Sequence, residues 1–343
     1  MDTITRREFG ARVAGLAALG GIALPRALGA LGAARRGDIF EWCEVTPRVH
    51  VALGGGGNSL VAFERAGPVL VADSKIMGFG GALRREAEAR AGRRVTHLVS
   101  THHHFDHTGG NTAFTGDVAL AAQANGRARV LASAADAIER VRKHGEKWVD
   151  ALLADVRGWT PVRDEGAARA ELLRLVSDAG ALSPERFAPA TTFDREHAIS
   201  AAGQTVEAHY VSPGHTDNDA FLYLPRENVL HAGDLLFNGF HPFVDVSAGA
   251  STSGWQRCVA AMTKRCNART VVIPGHGPLT DRTGLEAQSR YFDRLREVVG
   301  AAMREGRTRD EIKALKPAEL ASLGFPEQLP DNLGIVYDEM KQG

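Results

Sequence analysis

The chain has 343 residues, and its 41 lysine and arginine residues balance its 41 aspartate and glutamate residues. No net charge therefore attracts the chain to nucleic acid or to an anionic membrane surface, which argues against a nuclease or another nucleic-acid-binding protein. The three cysteines, Cys43, Cys258 and Cys266, are too few for a disulfide framework, and we predict that all three are free thiols.

Residues 1–34 are predicted to be an export signal. Thr5-Arg6-Arg7-Glu8-Phe9 resembles the twin-arginine motif, an apolar stretch runs from Ala11 to Leu24, and small residues from Ala27 to Ala34 offer cleavage sites. The stretch is too short and too rich in glycine for a membrane span, although a retained N-terminal anchor is the alternative. We therefore expect the twin-arginine export machinery as a partner, a periplasmic location, and no stable membrane insertion after the signal is cleaved.

The chain that follows the signal begins with short strands and glycine-rich turns between Trp42 and Asp73, followed by a helix from about Gly81 to Ala91. The apolar run Val95–Ser100 then predicts a buried strand. A rigid strand end is where a protein scaffold commonly presents functional side chains. The residues directly after Ser100 are therefore the first place to look for a site.

Four potential metal ligands follow this strand within six positions: His102, His104, Asp106 and His107. Side chains alternate in an extended segment, so we expect His102, His104 and Asp106 to face one way. By the same alternation His103 faces away, into the core or behind a ligand. We expect the chain to bend at His107 and to turn sharply at Gly109-Gly110, since glycine adopts backbone conformations closed to other residues.

Three more potential ligands lie downstream, each beside a glycine and directly after an apolar stretch: His215, Asp234 and His276. His231, three residues before Asp234, is expected to pack beside the site without reaching a metal ion. Together with the four residues at 102–107, these positions supply five imidazoles and two carboxylates. That set is enough for two adjacent ions of zinc or a similar borderline divalent metal.

Helices account for most of the remaining sequence. Residues 134–182 are predicted to form two helices that join near Pro161, an insertion that is either a lid beside the site or an outer helical layer. A helix at about Gly254 to Cys266 and a long amphipathic helix from about Gly284 to Glu305 follow. The predicted main domain spans 35–300, and the tail, 301–343, is expected to add one short helix and coil from Glu311 on.

The order His-x-His-x-Asp-His, Gly-His-Thr, Gly-Asp, Gly-His-Gly, from about Val49 to Thr280, resembles the metallo-β-lactamase superfamily. The resemblance implies an α+β fold, the four-layer αββα sandwich, with a dinuclear metal site. It assigns His102, His104 and His215 to the first ion, and Asp106, His107 and His276 to the second, with Asp234 bridging them. It also implies that Asp73, at the end of an early strand, hydrogen-bonds to a ligand histidine and fixes its tautomer.

The expected cofactor is a pair of Zn²⁺ ions, with manganese or iron as alternatives. Zinc lowers the pKa of bound water to about 7, so a metal-bridging hydroxide is available at neutral pH without a protein base. We expect this hydroxide to cleave an ester, lactone, thioester or amide bond of a small-molecule substrate. Asp106 is the expected catalytic residue because it can orient the hydroxide as well as bind metal.

Asp234 separates the candidate activities. Metallo-β-lactamases of the Asp-Cys-His type carry cysteine where this chain has Asp234, so a β-lactamase proper is an alternative and not the first expectation. An iron-dependent oxidoreductase resembling the persulfide dioxygenases is a second alternative, and a non-catalytic accessory protein is a third. His241, shortly after Asp234, is expected to line the substrate pocket, as residues at that place do in members of the superfamily.

Overall fold

The computed structural model describes residues 30–31, 35 and 37–342. Apart from a two-residue strand, the predicted export signal at 1–34 lies outside the described residues, and it stays a prediction. The described chain forms two compact units: unit 1 runs up to Ala208 and includes Leu224–Glu227, whereas unit 2 consists of His209–Tyr223 and the residues from Asn228 on. In the part of the chain that the structure describes, no helix has both the length and the apolar character to cross a membrane.

The first sheet has eight strands that lie in chain order. Strands β1 to β5 pair antiparallel, and β5 to β8 pair parallel. Their bounds are β1 Ala30–Leu31, β2 Glu41–Thr46, β3 Val49–Leu53, β4 Ser59–Ala62, β5 Leu70–Ala72, β6 His97–Ser100, β7 Ala119–Gln123 and β8 Thr191–Phe193. Since β5 and β6 are parallel neighbours, the residues that follow them emerge at the same edge of the sheet.

The second sheet has five strands in the order β13-β12-β11-β10-β9. Their bounds are β9 Glu196–Ala201, β10 Gln204–Tyr210, β11 Ala220–Leu224, β12 Val229–Phe237 and β13 Val271–His276. Strands β12 and β13 are parallel, and their register shifts twice, between His231 and Gly233 and again between Gly233 and Phe237. Such irregularities redirect side chains and are common beside functional sites.

The described chain contains nine helices. Unit 1 contains α1 Gly80–Ala91, α2 Phe105–Thr108, α3 Gly126–His144, α4 Glu146–Trp159 and α5 Glu165–Ser177. Unit 2 contains α6 Thr252–Arg265, α7 Arg282–Arg304, α8 Arg309–Lys313 and α9 Gln328–Gln342. Single turns of 3-10 helix occur at Asn111–Phe114, Ala179–Ala181, Pro184–Phe187, Val246–Ala248 and Ala318–Leu320.

Two helical predictions need correction. The segment expected to hold two helices contains three, because Gly145, with φ 51° and ψ −126°, ends α3 and begins α4. Pro161 does interrupt the region, between α4 and α5. The tail, expected to hold one short helix, also contains the 15-residue α9. Pro330 does not prevent this helix, because it lies in the first turn, where a backbone N–H has no helical partner.

Each unit has its own hydrophobic core. In unit 1 the apolar faces of α1, α3, α4 and α5 pack with the strands of the first sheet. In unit 2 the helix α7 contributes Leu285, Phe292, Leu295 and Val299, whose spacing of seven, three and four residues places them on one face, and all are fully buried. Burial of each such side chain contributes about 1.5–3 kcal/mol. These cores keep the strand ends that carry the predicted ligands rigid.

All three cysteines are buried and free, as predicted. Burial raises the pKa of the Cys258 thiol to about 11, and its Sγ donates a hydrogen bond to the Ser212 carbonyl oxygen at 3.3 Å. A thiol in this environment stays protonated and is a poor nucleophile. The cysteines therefore belong to the packing of the protein.

Candidate metal centre

The predicted ligand run in unit 1 does not remain extended. Strand β6 ends at Ser100, and the chain enters the one-turn helix α2 at Phe105, where the His104 carbonyl accepts hydrogen bonds from the backbone N–H groups of His107 and Thr108 at 3.0 Å. The expected alternation as far as Asp106 is therefore wrong. The extended geometry ends with the last strand pair, at Ser100. The Asp106 carboxylate then lies in the first turn of α2, where the helix dipole favours a negative charge.

The short helix brings Asp106 and His107 together. Asp106 Oδ2 lies 3.3 Å from His107 Nε2. In a tetrahedral zinc site with bonds of about 2.0–2.1 Å, two ligand atoms lie about 3.3–3.4 Å apart. His102 and His104, both buried, have ring nitrogens within 4.8 Å of each other. These four side chains, the ligands predicted in unit 1, are able to bind metal ions.

Asp73 directly follows β5 and hydrogen-bonds to His107. Its Oδ2 lies 2.7 Å from His107 Nδ1, and its carboxylate also accepts hydrogen bonds from Thr101 N at 2.7 Å and Thr101 Oγ1 at 2.8 Å. A carboxylate next to Nδ1 keeps the proton on that nitrogen, so Nε2 is the unprotonated nitrogen that a metal requires. Asp73 thus lies against a predicted ligand, and its influence on a metal stays a prediction.

Close backbone packing explains the glycines of this unit better than the expected sharp turn does. Gly109 and Gly110 have φ values of −63° and −87°, which any residue can adopt. A side chain at Gly110 would instead collide with the Ser74 carbonyl oxygen. Likewise, a side chain at Gly57 would occupy the position of the His107 ring. Both glycines allow the neighbouring backbone to approach the ligand helix.

Lys75 is a buried residue near the ligands that the sequence pattern did not single out. Its Nζ donates hydrogen bonds of 2.7 Å to the carbonyl oxygens of Ala52 and Gly57. Burial lowers the pKa of Lys75 to about 7, against the opposing effect of nearby carboxylates, Asp73 first among them. These hydrogen bonds stabilise the loop that contains Gly57, which lies against the His107 ring. The unusual local feature of Lys75 is its positive φ of 74°, and a backbone angle of this kind cannot be recognised in the sequence.

In unit 2 two predicted ligands, His215 and His276, lie close to the same oxygen atom of the third, Asp234. Asp234 Oδ2 lies 3.4 Å from His215 Nε2 and 3.4 Å from His276 Nε2. Both distances match the edge of a tetrahedron around zinc, so each imidazole and the Asp234 carboxylate are spaced to bind a common ion. Gly275 allows this placement, since a side chain there would overlap Asp234 Oδ1. The donor set of imidazole and carboxylate fits zinc.

Neighbouring groups fix the orientation of His215. Its Nδ1 lies 2.7 Å from the Phe243 carbonyl oxygen, which can only accept, so Nδ1 carries the proton and Nε2 is the metal-binding nitrogen. The turn that carries His215 is held by Asp219, whose carboxylate accepts hydrogen bonds from Thr216 N at 2.8 Å and Thr216 Oγ1 at 2.7 Å. Burial raises the pKa of Asp219 to about 6. The sequence pattern had not identified Asp219 as part of the site.

The other two histidines of the motifs lie beside the ligands. His231 is fully buried in β12, and its Nδ1 accepts a hydrogen bond from Gly233 N at 3.1 Å, which supports the irregular stretch before Asp234. His103 is buried with its ring centroid 4.6 Å from that of His104. The position of His231 agrees with its expected packing role. A ring nitrogen of His103 lies within 4.8 Å of one of His104, so the expected orientation of His103 away from the ligands is not confirmed.

His241 lies within unit 2 and is only 1% exposed. Its Nδ1 is 2.9 Å from the Tyr291 hydroxyl, and its backbone N–H donates to the Gly324 carbonyl oxygen at 2.8 Å. Burial lowers the pKa of His241 to about 4. Its assignment to a substrate pocket stays a prediction, but the hydrogen bonds show that it takes part in the packing of the C-terminal segment.

The pKa of His241 predicts acid sensitivity of the fold. Between pH 6.5 and about 4 the unfolded state binds a proton at residue 241 that the folded state does not. The contribution of His241 to the free energy of unfolding is therefore fully present above pH 6.5 and is lost as the pH falls towards 4. We expect His241→Gln to flatten this decline by up to about 1.4 kcal/mol per pH unit. Urea unfolding between these pH values measures the slope, and equal slopes for both proteins would contradict the prediction.

Comparison with known proteins gives a family model and short sequence matches. The model of the metallo-beta-lactamase superfamily matches residues 77–291. Metallo-beta-lactamase type 2 from Bacillus cereus is 30% identical over 77 residues, and that from Bacteroides fragilis is 24% identical over 79 residues. These segments are 22% and 23% of this chain and 30% and 32% of the relatives, so the chain spans about a third of the length of the curated relatives it matches.

Solved structures match a larger part of the chain. A metallo-beta-lactamase from Pontibacter korlensis has a TM-score of 0.51 at 16% identity and covers 73% of this chain and 97% of its own. The DIM-1 metallo-beta-lactamase has a TM-score of 0.50 at 16% identity, with 74% and 96% covered. These structures confirm the predicted α+β fold class, the sandwich of the metallo-β-lactamase type. Because the family model also covers more than half of the sequence, the chain belongs to the metallo-beta-lactamase superfamily.

Proposed function

We propose that the protein is an exported hydrolase that holds two Zn²⁺ ions and cleaves an ester, lactone, thioester or amide bond of a small molecule. One observation supports this proposal above the others: a single oxygen, Asp234 Oδ2, lies 3.4 Å from the Nε2 atoms of both His215 and His276. A carboxylate oxygen between two imidazoles has the geometry needed to serve two ions. Members of the superfamily are mostly metal-dependent hydrolases, which supports the same reaction class.

The seven ligands follow the family pattern in this proposal. His102, His104 and His215 hold one ion, whereas Asp106, His107 and His276 hold the other, with Asp234 shared. Zinc, when bound, lowers the pKa of a water molecule to about 7 and polarises a carbonyl oxygen. The protein's own contribution is orientation: Asp73 and the Phe243 carbonyl keep the protons of two ligand histidines on Nδ1.

Asp106 has a further role in the proposed reaction. Its side chain is 18% exposed, whereas that of His107 is fully buried. A carboxylate that water can reach is able to accept a hydrogen bond from the attacking water and to orient it towards the substrate. In unit 2, His276 is the ligand with the most open side chain, at 11%. We therefore assign the substrate-facing positions to Asp106 and His276.

A β-lactamase proper is the second candidate, because the matched relatives and solved structures are metallo-beta-lactamases. Asp234 argues against it as the main activity, since lactamases of the Asp-Cys-His type have cysteine at this place. Iron-dependent oxidation is the third candidate, and an accessory role without catalysis is the fourth. These four functions differ in metal content or in substrate.

The test uses mature protein loaded separately with Zn²⁺, Mn²⁺ or Fe²⁺ and a panel of nitrocefin, esters, lactones, thioesters and amides. We expect about two zinc ions per chain and hydrolysis of at least one non-lactam carbonyl substrate. Preference for nitrocefin would establish the β-lactamase instead. One iron per chain with no activity in zinc would favour the oxidoreductase, and bound metal without any turnover would favour the accessory role.

Export is a separate part of the proposal, supported by the motif at Thr5–Phe9. We propose passage through the twin-arginine machinery, a periplasmic location, no stable membrane insertion after cleavage and no nucleic-acid partner. Fractionation of cells that express the full chain tests the location. Replacing Arg6 and Arg7 together with lysine should retain the protein in the cytoplasm, and unchanged fractionation would contradict this route.

A further inference from the structure

The loop that directly follows β12 carries the carbonyl group that orients His215. We define it as the 238–246 loop. The Phe243 carbonyl oxygen accepts from His215 Nδ1 at 2.7 Å, and the Phe243 ring packs edge-on against the imidazole with centroids 5.9 Å apart. A hydrogen bond to a loop carbonyl orients a ligand only as well as the loop itself is held. The contacts that hold this loop therefore bear on the metal centre.

Three buried side chains outside the ligand set form one hydrogen-bonded network at this loop. Asn332 Nδ2, from α9, donates to the Pro242 carbonyl oxygen at 2.9 Å and to the Tyr291 hydroxyl oxygen at 2.9 Å. The Tyr291 hydroxyl lies 2.9 Å from His241 Nδ1. Because Tyr291 accepts from Asn332, its own proton is available for His241, and Nδ1 of His241 is the acceptor.

The network fixes the peptide unit next to the critical carbonyl. Pro242 has a fixed φ and no N–H, so the orientation of its carbonyl determines how the chain enters Phe243. Asn332 holds that carbonyl, and the Gly324 carbonyl holds the His241 N–H at 2.8 Å. The Phe240 and Phe325 rings stack with centroids 4.6 Å apart at the start of the same loop. The C-terminal segment thus holds the loop at several points.

The members of the network are suited to a rigid, uncharged support. His241, Tyr291 and Asn332 are 1%, 6% and 1% exposed. Burial keeps the first two neutral near pH 7, because it lowers the pKa of His241 and raises that of Tyr291. The hydrogen bonds that join the three side chains fix their relative orientation, and of their buried polar atoms Asn332 Oδ1 has no partner among the described residues. Simple packing of the tail would be satisfied by apolar side chains at these positions.

We propose that His241, Tyr291 and Asn332 are positioning residues through which the C-terminal segment orients the His215 imidazole for metal binding. The inference rests on the proposed function, since it concerns a ligand of the proposed zinc pair. It gives His241 a role at a distance from the substrate, and it gives the tail a role in the site.

The experiment compares Tyr291→Phe and Asn332→Leu with a control, Asp338→Asn, on the same helix as Asn332. Asp338 binds Arg309 at 2.7 Å on the surface of the tail, apart from the network. Zn²⁺ affinity is measured by competition with a chromophoric chelator. Exchange of the His215 Nδ1 proton is measured by NMR of ¹⁵N-histidine-labelled, metal-free protein. A general loss of tail packing would not single out this proton, whereas loss of the positioning role would.

We expect Tyr291→Phe and Asn332→Leu to weaken Zn²⁺ binding by up to about tenfold, the lower end of the effect of groups that orient ligands, and to accelerate the exchange. Asp338→Asn should change neither. If wild-type protein binds no zinc, the proposed function fails, and the exchange measurement still decides whether the network orients His215. If wild type binds zinc and the network variants match the control in both measurements, the positioning role is refuted. Tyr291→Phe, which loses one hydroxyl, decides if Asn332→Leu does not fold.

Discussion

Asp234→Asn is expected to lower the zinc content of the protein and to reduce hydrolysis by at least about a thousandfold. The amide keeps the shape of the side chain but removes the negative charge beside the two imidazoles proposed as ligands, whose Nε2 atoms each lie 3.4 Å from Asp234 Oδ2. Metal ions supply several kcal/mol of transition-state stabilisation, and each 1.4 kcal/mol corresponds to a factor of ten in rate. Metal analysis and kcat/KM on the best substrate of the panel measure the two effects.

Asp150→Asn is the matched control for this change. Asp150 lies on α4, its side chain is 64% exposed, and it pairs with Arg169 at 3.1 Å on the surface. The same loss of charge there should leave metal content and kcat/KM unchanged, because exposed pairs contribute little. Wild-type metal content and rate in Asp234→Asn would remove the shared-ligand role from the proposal. Circular dichroism of both variants checks that the fold is retained.

The candidate ligand residues stand out in the sequence because their chemistry is concentrated at strand ends, and their binding of metal stays a prediction. His102 to His107 follow β6, and His276 ends β13, so a local pattern of apolar run, ligand and glycine identified them. The local conformation was less accessible. The alternation predicts an extended run as far as Asp106, but α2 begins at Phe105, because the backbone there forms hydrogen bonds within itself once strand pairing has ended.

The supporting residues could not be predicted because their partners are distant in sequence. Lys75 donates to Ala52, 23 residues away, and His241 meets Tyr291 50 residues away. Asn332 reaches Pro242 across 90 residues. A lysine after Asp-Ser, or an asparagine in a helix, has no local feature that indicates burial. The fold class was predicted from the resemblance of the motifs to a family. Hydrophobic periodicity alone predicted individual helices and strands.

Asp73→Asn is expected to weaken zinc binding by about 10–100-fold while the fold survives. Asparagine can still accept the Thr101 N–H bond through its oxygen, but its NH₂ group then faces His107 Nδ1. An amide donor at that position favours a His107 tautomer with the proton on Nε2, the nitrogen assigned to metal. For zinc to bind Nε2, the proton would have to move to Nδ1, where it would face the amide NH₂ group, and this unfavourable contact is the reason for the expected loss of affinity.

Asp73→Ala separates this tautomer effect from damage to the fold. Asp73 has a φ of 63°, which asparagine and aspartate tolerate better than alanine, and alanine would also leave the Thr101 and His107 donors without their buried acceptor. Each unsatisfied buried group costs about 1–3 kcal/mol, so alanine should lower the stability of the metal-free protein as well. If thermal unfolding shows that Asp73→Asn is close to wild type in stability and its zinc affinity is also unchanged, then the carboxylate does not tune His107. Weak binding in a stable Asp73→Asn protein, with both properties lost in Asp73→Ala, is the result that the hydrogen bonds of Asp73 predict.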